Sequence, residues 1–220
     1  MKAFKFILSS FAILFLLCGA SLASSINVAY TGDNIVNAWY IIDGSTTSSL
    51  SPGPNAGTWQ QADIYETTLT GGSTYDIIWQ VEDFSDGWEV AGFLAEITSS
   101  DPMIGTVSSS STWMVSTDSD YTSATWAFAT EYGYNGAANI PWGSMVSGIS
   151  TTAQWIWTDN SGLNPIGSHG WEGFQTEDKN IFVKVSVDTT PAPVPEPSTI
   201  FLLGGGLIGL GWYGRKRKKA

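Results

Sequence analysis

Across residues 24–194 the apolar side chains never sustain the spacing of a helical stripe. They come in short runs of period two, cut off by Gly, Asn and Asp. Successive side chains of a strand point to opposite faces, so such runs bury one face and wet the other. Residues 26–30 alternate and stop at Gly32-Asp33; residues 35–42 are closed by Asp43-Gly44, a pair that supplies the positive φ of a tight hairpin. Further strands are predicted at 62–69, 74–81, 91–97, 112–116, 125–129, 153–158 and 180–187. The clearest put Tyr75, Ile77, Trp79 and Val81 on one face, and Ile181, Val183, Val185 and Val187 opposite Lys184 and Ser186. Residues 45–58, rich in Ser, Pro and Gly, read as a loop. No window supports a helix of three turns. The expected body is one all-β domain, a sandwich or barrel.

Packing alone must hold that body. Its span contains no cysteine, because the sole one, Cys18, lies nearer the N-terminus. Charge is equally lopsided. Nineteen of the twenty acidic residues but only Lys179 and Lys184 of the nine basic ones fall between residues 24 and 194, a net charge of −17. Nucleic-acid binding depends on neutralising phosphates with Lys and Arg, and this body has almost none, so that function class is excluded. Attraction to an anionic membrane surface is equally poor.

The two ends carry address-like segments. Lys2 and Lys5 precede an apolar core at 6–17 and then Ser21-Leu22-Ala23, the layout of a secretory signal peptide over residues 1–23, with cleavage expected after Ala23. Cys18 follows the bulky Leu17, where a lipoprotein signal wants a small residue, so it reads as a passenger that is removed. At the other end Pro195, Glu196, Pro197 and Ser198, in a Pro-rich linker at 191–199, lead into an apolar segment at 200–214. A basic tail at 215–220 follows, with Arg215, Lys216 and Arg217 at its start. The apolar run of 14 residues from Ile200 to Tyr213 spans about 21 Å as a helix, against a hydrocarbon core of about 30 Å. Its five glycines weaken it further. Marginal insertion suits a segment held only until it is processed.

In its order of parts this tail resembles the PEP-CTERM sorting signal of Gram-negative bacteria. The resemblance implies an exosortase-type protease as processing partner and membrane contact only through the C-terminal sorting helix. It also implies passage from the inner membrane to the cell surface, outer envelope or extracellular matrix.

The body itself resembles galactose-binding-domain-like jelly rolls. The matching stretches are Asp33-Asn34 through Asp43-Gly44, then Trp59, the run 69–81, and Ala91-Gly92-Phe93-Leu94-Ala95-Glu96-Ile97. Ser116-Thr117-Asp118, Pro141-Trp142-Gly143 and Ala153-Gln154-Trp155-Ile156-Trp157 continue the pattern. That resemblance implies a single jelly-roll β-sandwich over 24–190 and a glycan-binding role, often beside a structural Ca²⁺. Fold alone does not carry function.

Ten tryptophans lie in the body. Trp39, Trp79 and Trp113, embedded in strands, are expected in the core. Trp155 and Trp157, two residues apart, are expected to share one buried face. Trp88, Trp142 and Trp171 sit among Gly, Asp and Pro, where a ring has less to bury against; they are the candidate glycan-stacking residues. Glu82, Asp83, Asp86 and Glu89 fall within eight residues and, with few cations to neutralise them, form the candidate Ca²⁺ site, the alternative being a solvated acidic loop. Asp118 with Asp120, and Asp159 with Asn160, are thinner candidates. His169, the sole histidine, has no Gly-x-Ser-x-Gly partner motif and too few companions for zinc.

No catalytic residue is assigned, and the chain reads as non-catalytic, associating with exopolysaccharide or other glycans. The rival readings are a glycoside hydrolase-like enzyme, which needs two carboxylates at a set separation, and a purely structural coat protein with no ligand.

Overall fold

The computed structural model describes residues 23–84, 90–138, 140–159, 178–190 and 204–206. Met1–Thr190 and Pro191–Ala220 are separate compact units. Among the described residues the first holds twelve strands: β1 Ala23–Asp33, β2 Ile35–Asp43, β3 Thr46–Leu50, β4 Asp63–Thr70, β5 Thr74–Glu82, β6 Gly92–Ser99, β7 Thr106–Ser108, β8 Met114–Ser116, β9 Ala127–Phe128, β10 Thr130–Tyr134, β11 Gln154–Trp157 and β12 Asn180–Asp188. A 3₁₀ turn at Tyr121–Ser123 is its only helical element among the described residues. The strands form two antiparallel sheets: β10-β11-β6-β1-β4, with β7 also on β6, and β3-β2-β5-β12-β8-β9. The expected all-β class holds. In the second unit only Gly204–Gly206 is described, and it is helical; no helix among the described residues is long and apolar enough to cross a membrane. Residues 1–22 of the expected signal peptide, Pro195 to Ser198 and Arg215 to Arg217 lie outside the described residues.

The sheets face each other across one core built from Ile26, Val28 and Tyr30 of β1, Phe93 and Ala95 of β6, Tyr75, Ile77, Trp79 and Val81 of β5, and the predicted row Ile181, Val183, Val185, Val187 of β12. At its centre three indoles stack. Trp39 and Trp79 are register partners on β2 and β5, with ring centroids 6.2 Å apart and planes at 7°. Trp113 stacks on the far side of Trp79 at 5.6 Å and 16°. From the opposite sheet Tyr30 and Phe93 press against Trp79 at 6.2 and 5.2 Å. Each of these tryptophans is 1% exposed or less, so their large apolar area supplies the cohesion that disulfides would otherwise add. Trp155 and Trp157 are both buried but divide between two clusters. Trp157 ends β11, and its Nε1 donates to the Asp178 carbonyl at 3.1 Å.

In the first sheet, β6 and the C-terminal half of β1 are buried on both faces. The sheet's outer face carries a second cluster of Ala29, Val90, Leu94, Ile140, Trp142, Val146, Ile149, Ala153 and Trp155, because residues 135–153 fold over β1 and β6. Asn135, 2% exposed, holds that cover in shape. Its Nδ2 donates to the carbonyls of Val146 and Ile149 at 3.1 and 2.8 Å, and its Oδ1 accepts from Val146 N at 2.8 Å. Glu96, turned to the same side, accepts from Ser108 Oγ at 3.0 Å and from Ser150 Oγ. Ser109 closes the gap between β6 and β11: its Oγ donates to the Gln154 carbonyl at 2.7 Å and accepts from Ala95 N at 3.1 Å.

Three strands depart from the sequence expectation. β3 falls inside the stretch read as a loop, where Thr46, Thr47, Ser48 and Ser49 are exposed on an edge strand with no apolar alternation. β7 has three residues, and β10 contains Gly133 with a register shift beside it.

Trp79→Ala is expected to lose about 3–5 kcal/mol, a large share of a domain's usual stability of about 5–15 kcal/mol; urea unfolding measures it. Asn135→Ala strands several buried backbone groups and is expected to cost about 2–3 kcal/mol, read in the same titration. Burial, with the Asp63 carboxylate adding to it against the opposing Gly53 N–H, pushes the Tyr30 phenol up to about 12. A raised folded-state value means its contribution is intact below the ordinary pKa of 10.0 and is lost as pH climbs towards 12. Tyr30→Phe should flatten that alkaline loss of stability.

Candidate functional site

Alternation along the second sheet turns one row outward. Tyr40, Ile78, Lys184, Met114 and Phe128 are successive register partners across β2, β5, β12, β8 and β9. Their strand neighbours Trp39, Trp79, Val183 and Val115 point into the core, so the row lies on the outer surface.

Residues 117–126 cover much of it. Tyr121 lies 4.6 Å from Tyr40 at 33° and edge-on to Phe182 at 5.7 Å, and Ile78 is left only 2% exposed. Two carboxylates fix this cover. Asp118 Oδ2 accepts from Thr125 N at 2.6 Å, and Asp120 Oδ1 caps the 3₁₀ turn from Thr122 N at 2.9 Å. The bonds from Thr122 hold the Asp120 carboxyl below its usual value. Both acids, thin cation candidates in the sequence, thus have local backbone partners.

Past the cover the row emerges into solvent. Lys184 Nζ sits 4.4 Å from the centroid of the half-buried Trp126 ring and 3.8 Å from Asp76 Oδ2, with Ser186 Oγ donating to Asp76 Oδ1 at 2.6 Å. A cation over an indole face is favourable and keeps the ring's orientation fixed. The row then ends on edge strand β9 at Phe128, which at 72% exposure is the most exposed large apolar side chain among the described residues. Met114 lies beside it as its β8 partner. An open ring at a sheet edge, flanked by a held indole and polar groups, can stack on the apolar face of a sugar.

The sequence-selected residues fare differently. Trp142 is a correction: it is 1% exposed, stacks on Trp155 at 4.5 Å and 15°, and donates from Nε1 to Asp33 Oδ2 at 2.8 Å. It rests on Gly92, where a methyl group would come within 2.5 Å of its Cζ2. The ring is thus spent inside the outer cluster. Trp88 and Trp171 lie outside the described residues, as does His169.

Of the candidate Ca²⁺ ligands, Asp86 and Glu89 also lie outside them. Asp83 corrects the expectation that these acids lack a cationic partner: its carboxylate, 1% exposed, pairs with Lys179 Nζ at 2.8 Å. Glu82 Oε2 accepts from Asn37 Nδ2 at 2.7 Å. Among the described residues no group of three or more His, Cys, Asp or Glu could hold a metal ion. Phe128 and Trp126 were missed by the sequence reading, although the strand expected at 125–129 already alternated them onto one side.

Residues 193–218 match the PEP-CTERM protein-sorting motif. No curated protein and no solved structure matches the chain. The motif implies export, anchoring in the membrane, processing by an exosortase and delivery to the surface.

Phe128→Ala is expected to change stability by no more than about 0.5 kcal/mol, as for an exposed position, while Trp142→Ala should cost about 3–5 kcal/mol. Thermal unfolding of the two variants side by side separates a surface ring from a structural one.

Proposed function

We propose that this chain is a non-catalytic component of the envelope or extracellular matrix, sorted by an exosortase, that associates with exopolysaccharide through exposed aromatic rings on a jelly-roll body. The destination rests on the sorting motif at residues 193–218. The glycan reading rests on Phe128, open to solvent at the end of a row whose other ring, Tyr40, lies against Tyr121. Trp126, held by Lys184, supplies a second ring beside it. Trp88 and Trp171 remain part of the proposal as further stacking residues.

Charge narrows the ligand class. A body of net charge −17 repels uronate- or sulfate-bearing polymers, so a neutral polysaccharide is the favoured partner. Stacking on a ring needs no ionic group on the sugar, which agrees with both lysines of the body being engaged in ion pairs.

Binding of the processed protein to neutral exopolysaccharide should weaken about tenfold in Trp126→Ala/Phe128→Ala, equivalent to about 1.4 kcal/mol; affinity electrophoresis measures it. Unchanged retention would remove these two rings from the site, and release of new reducing ends would favour the hydrolase reading. Truncation before Pro195 should move the protein from the cell surface into the medium, as fractionation and blotting would report.

A further inference from the structure

We propose that the carboxylate of Asp101 is the docking site for the α-ammonium group that leader removal creates on Ser24. The inference rests on cleavage after Ala23, and it concerns what the new terminus does once formed.

β1 is an interior strand of its sheet, bound by β4 on one side and β6 on the other. Pairing with β4 begins at its first residues, with Ala23 opposite Thr70 and Ser24 opposite Leu69. The expected cut thus falls at the very start of an ordered strand and leaves no free arm. Ser24 is 6% exposed, and its Oγ donates to Asp101 Oδ2. Asp101 belongs to the turn between β6 and β7, held by Met103 N donating to its Oδ1 at 2.9 Å and by its own N–H donating to Ser99 Oγ at 3.1 Å. Ser99 in turn donates to the carbonyl of Ser25 at 2.7 Å. This turn therefore grips the first two residues of the mature chain by side chain and backbone alike.

Within one serine the nitrogen and hydroxyl oxygen are three bonds apart, about 3–4 Å. An ammonium at Ser24 lies within roughly 6 Å of the Asp101 carboxylate, where an opposite charge favours the ionised form. The hydroxyl and amide donors already hold Asp101 below its usual value, so it is anionic at neutral pH. The other ionisable groups near this end are Glu66 on β4, which accepts from Ser25 Oγ at 3.4 Å, and, from the opposite sheet, Asp188 and Tyr75. Asp188 accepts from Thr190 N at 2.8 Å, and the Tyr75 hydroxyl bonds the backbone of Thr70. No lysine or arginine lies in these segments to compete for Asp101.

An α-amino group ordinarily titrates near 7.7–8.0, and this one is expected to titrate higher. The sign follows for each partner. Stability from a raised amine is present below about 8 and lost as pH rises through its folded value; that from Asp101 is present above about 4 and lost as pH falls through its own. The pair thus operates between these limits and exists only after processing.

The experiment uses full-length protein exported by its own route. Mass spectrometry of the exported product identifies its first residue, and competitive acetylation across pH gives the pKa of its α-amino group in wild type and Asp101→Asn. That isosteric change retains an acceptor for Met103 N, and circular dichroism confirms the fold. The expected result is a chain starting at Ser24 whose amine titrates at least 0.5 unit higher in wild type than in Asp101→Asn, by about the size such pairs produce. A start at Ser24 with the same amine pKa in both proteins overturns the docking site and leaves the leader reading intact. A start at any other residue overturns both.

Discussion

Trp79 is the interaction on which the body depends. Its indole touches Trp39 and Trp113 within its own sheet and Tyr30 and Phe93 from the other. In a body without cysteine, no disulfide cross-links the two sheets. The stack therefore sets both their separation and their registration. Rings packed face to face and edge on resist sliding more than aliphatic side chains do, since offset and tilted arrangements have preferred geometries. Every outer feature is carried on strands that this contact keeps in place: the cover over β1 and β6, the 3₁₀ segment over β2 and β5, and the exposed edge at β9.

The two outer surfaces are handled differently, and the difference locates function. Residues 135–153 cover β1 and β6 of the first sheet with a cluster organised by Asn135 and filled by Trp142. Residues 117–126 seal only part of the second, so the row from Tyr40 passes beneath Tyr121 and resurfaces at Phe128. A surface that is buried for most of its length and open at one edge concentrates apolar contact at a single place. The cation at Lys184, fixed between Asp76 and Trp126, borders that place without offering a free charge.

Period-two alternation made β5 and β12 legible because each buries one face against the opposing sheet and shows the other to solvent or a thin cover. β3 escaped because an edge strand of Thr and Ser, exposed along its length, has no apolar side to alternate. Trp142 escaped for a longer-range reason: Pro141-Trp142-Gly143 is a turn by local rules, and its burial is decided by a sheet remote in sequence. A clue to that burial does lie in the chain. Phe93-Leu94-Ala95 and Val28-Ala29-Tyr30 are continuous rather than alternating apolar runs, the mark of strands covered on both faces. Such runs require a lid, and the apolar residues around 140–149 are the segment able to provide one. The aromatic edge was within reach of the same logic, since Trp126 and Phe128 share a side of their predicted strand.

Both lysines of the body are tied down, Lys179 to Asp83 and Lys184 between Asp76 and Trp126. The molecule consequently meets its neighbours as a nearly uniform anion. Two copies at close quarters repel over a distance set by dissolved electrolyte, about 10 Å at 0.1 M ionic strength and about 30 Å at 0.01 M. The distance at which two such bodies begin to repel is thus set by the salinity of the surrounding water, short in brine and long in fresh water.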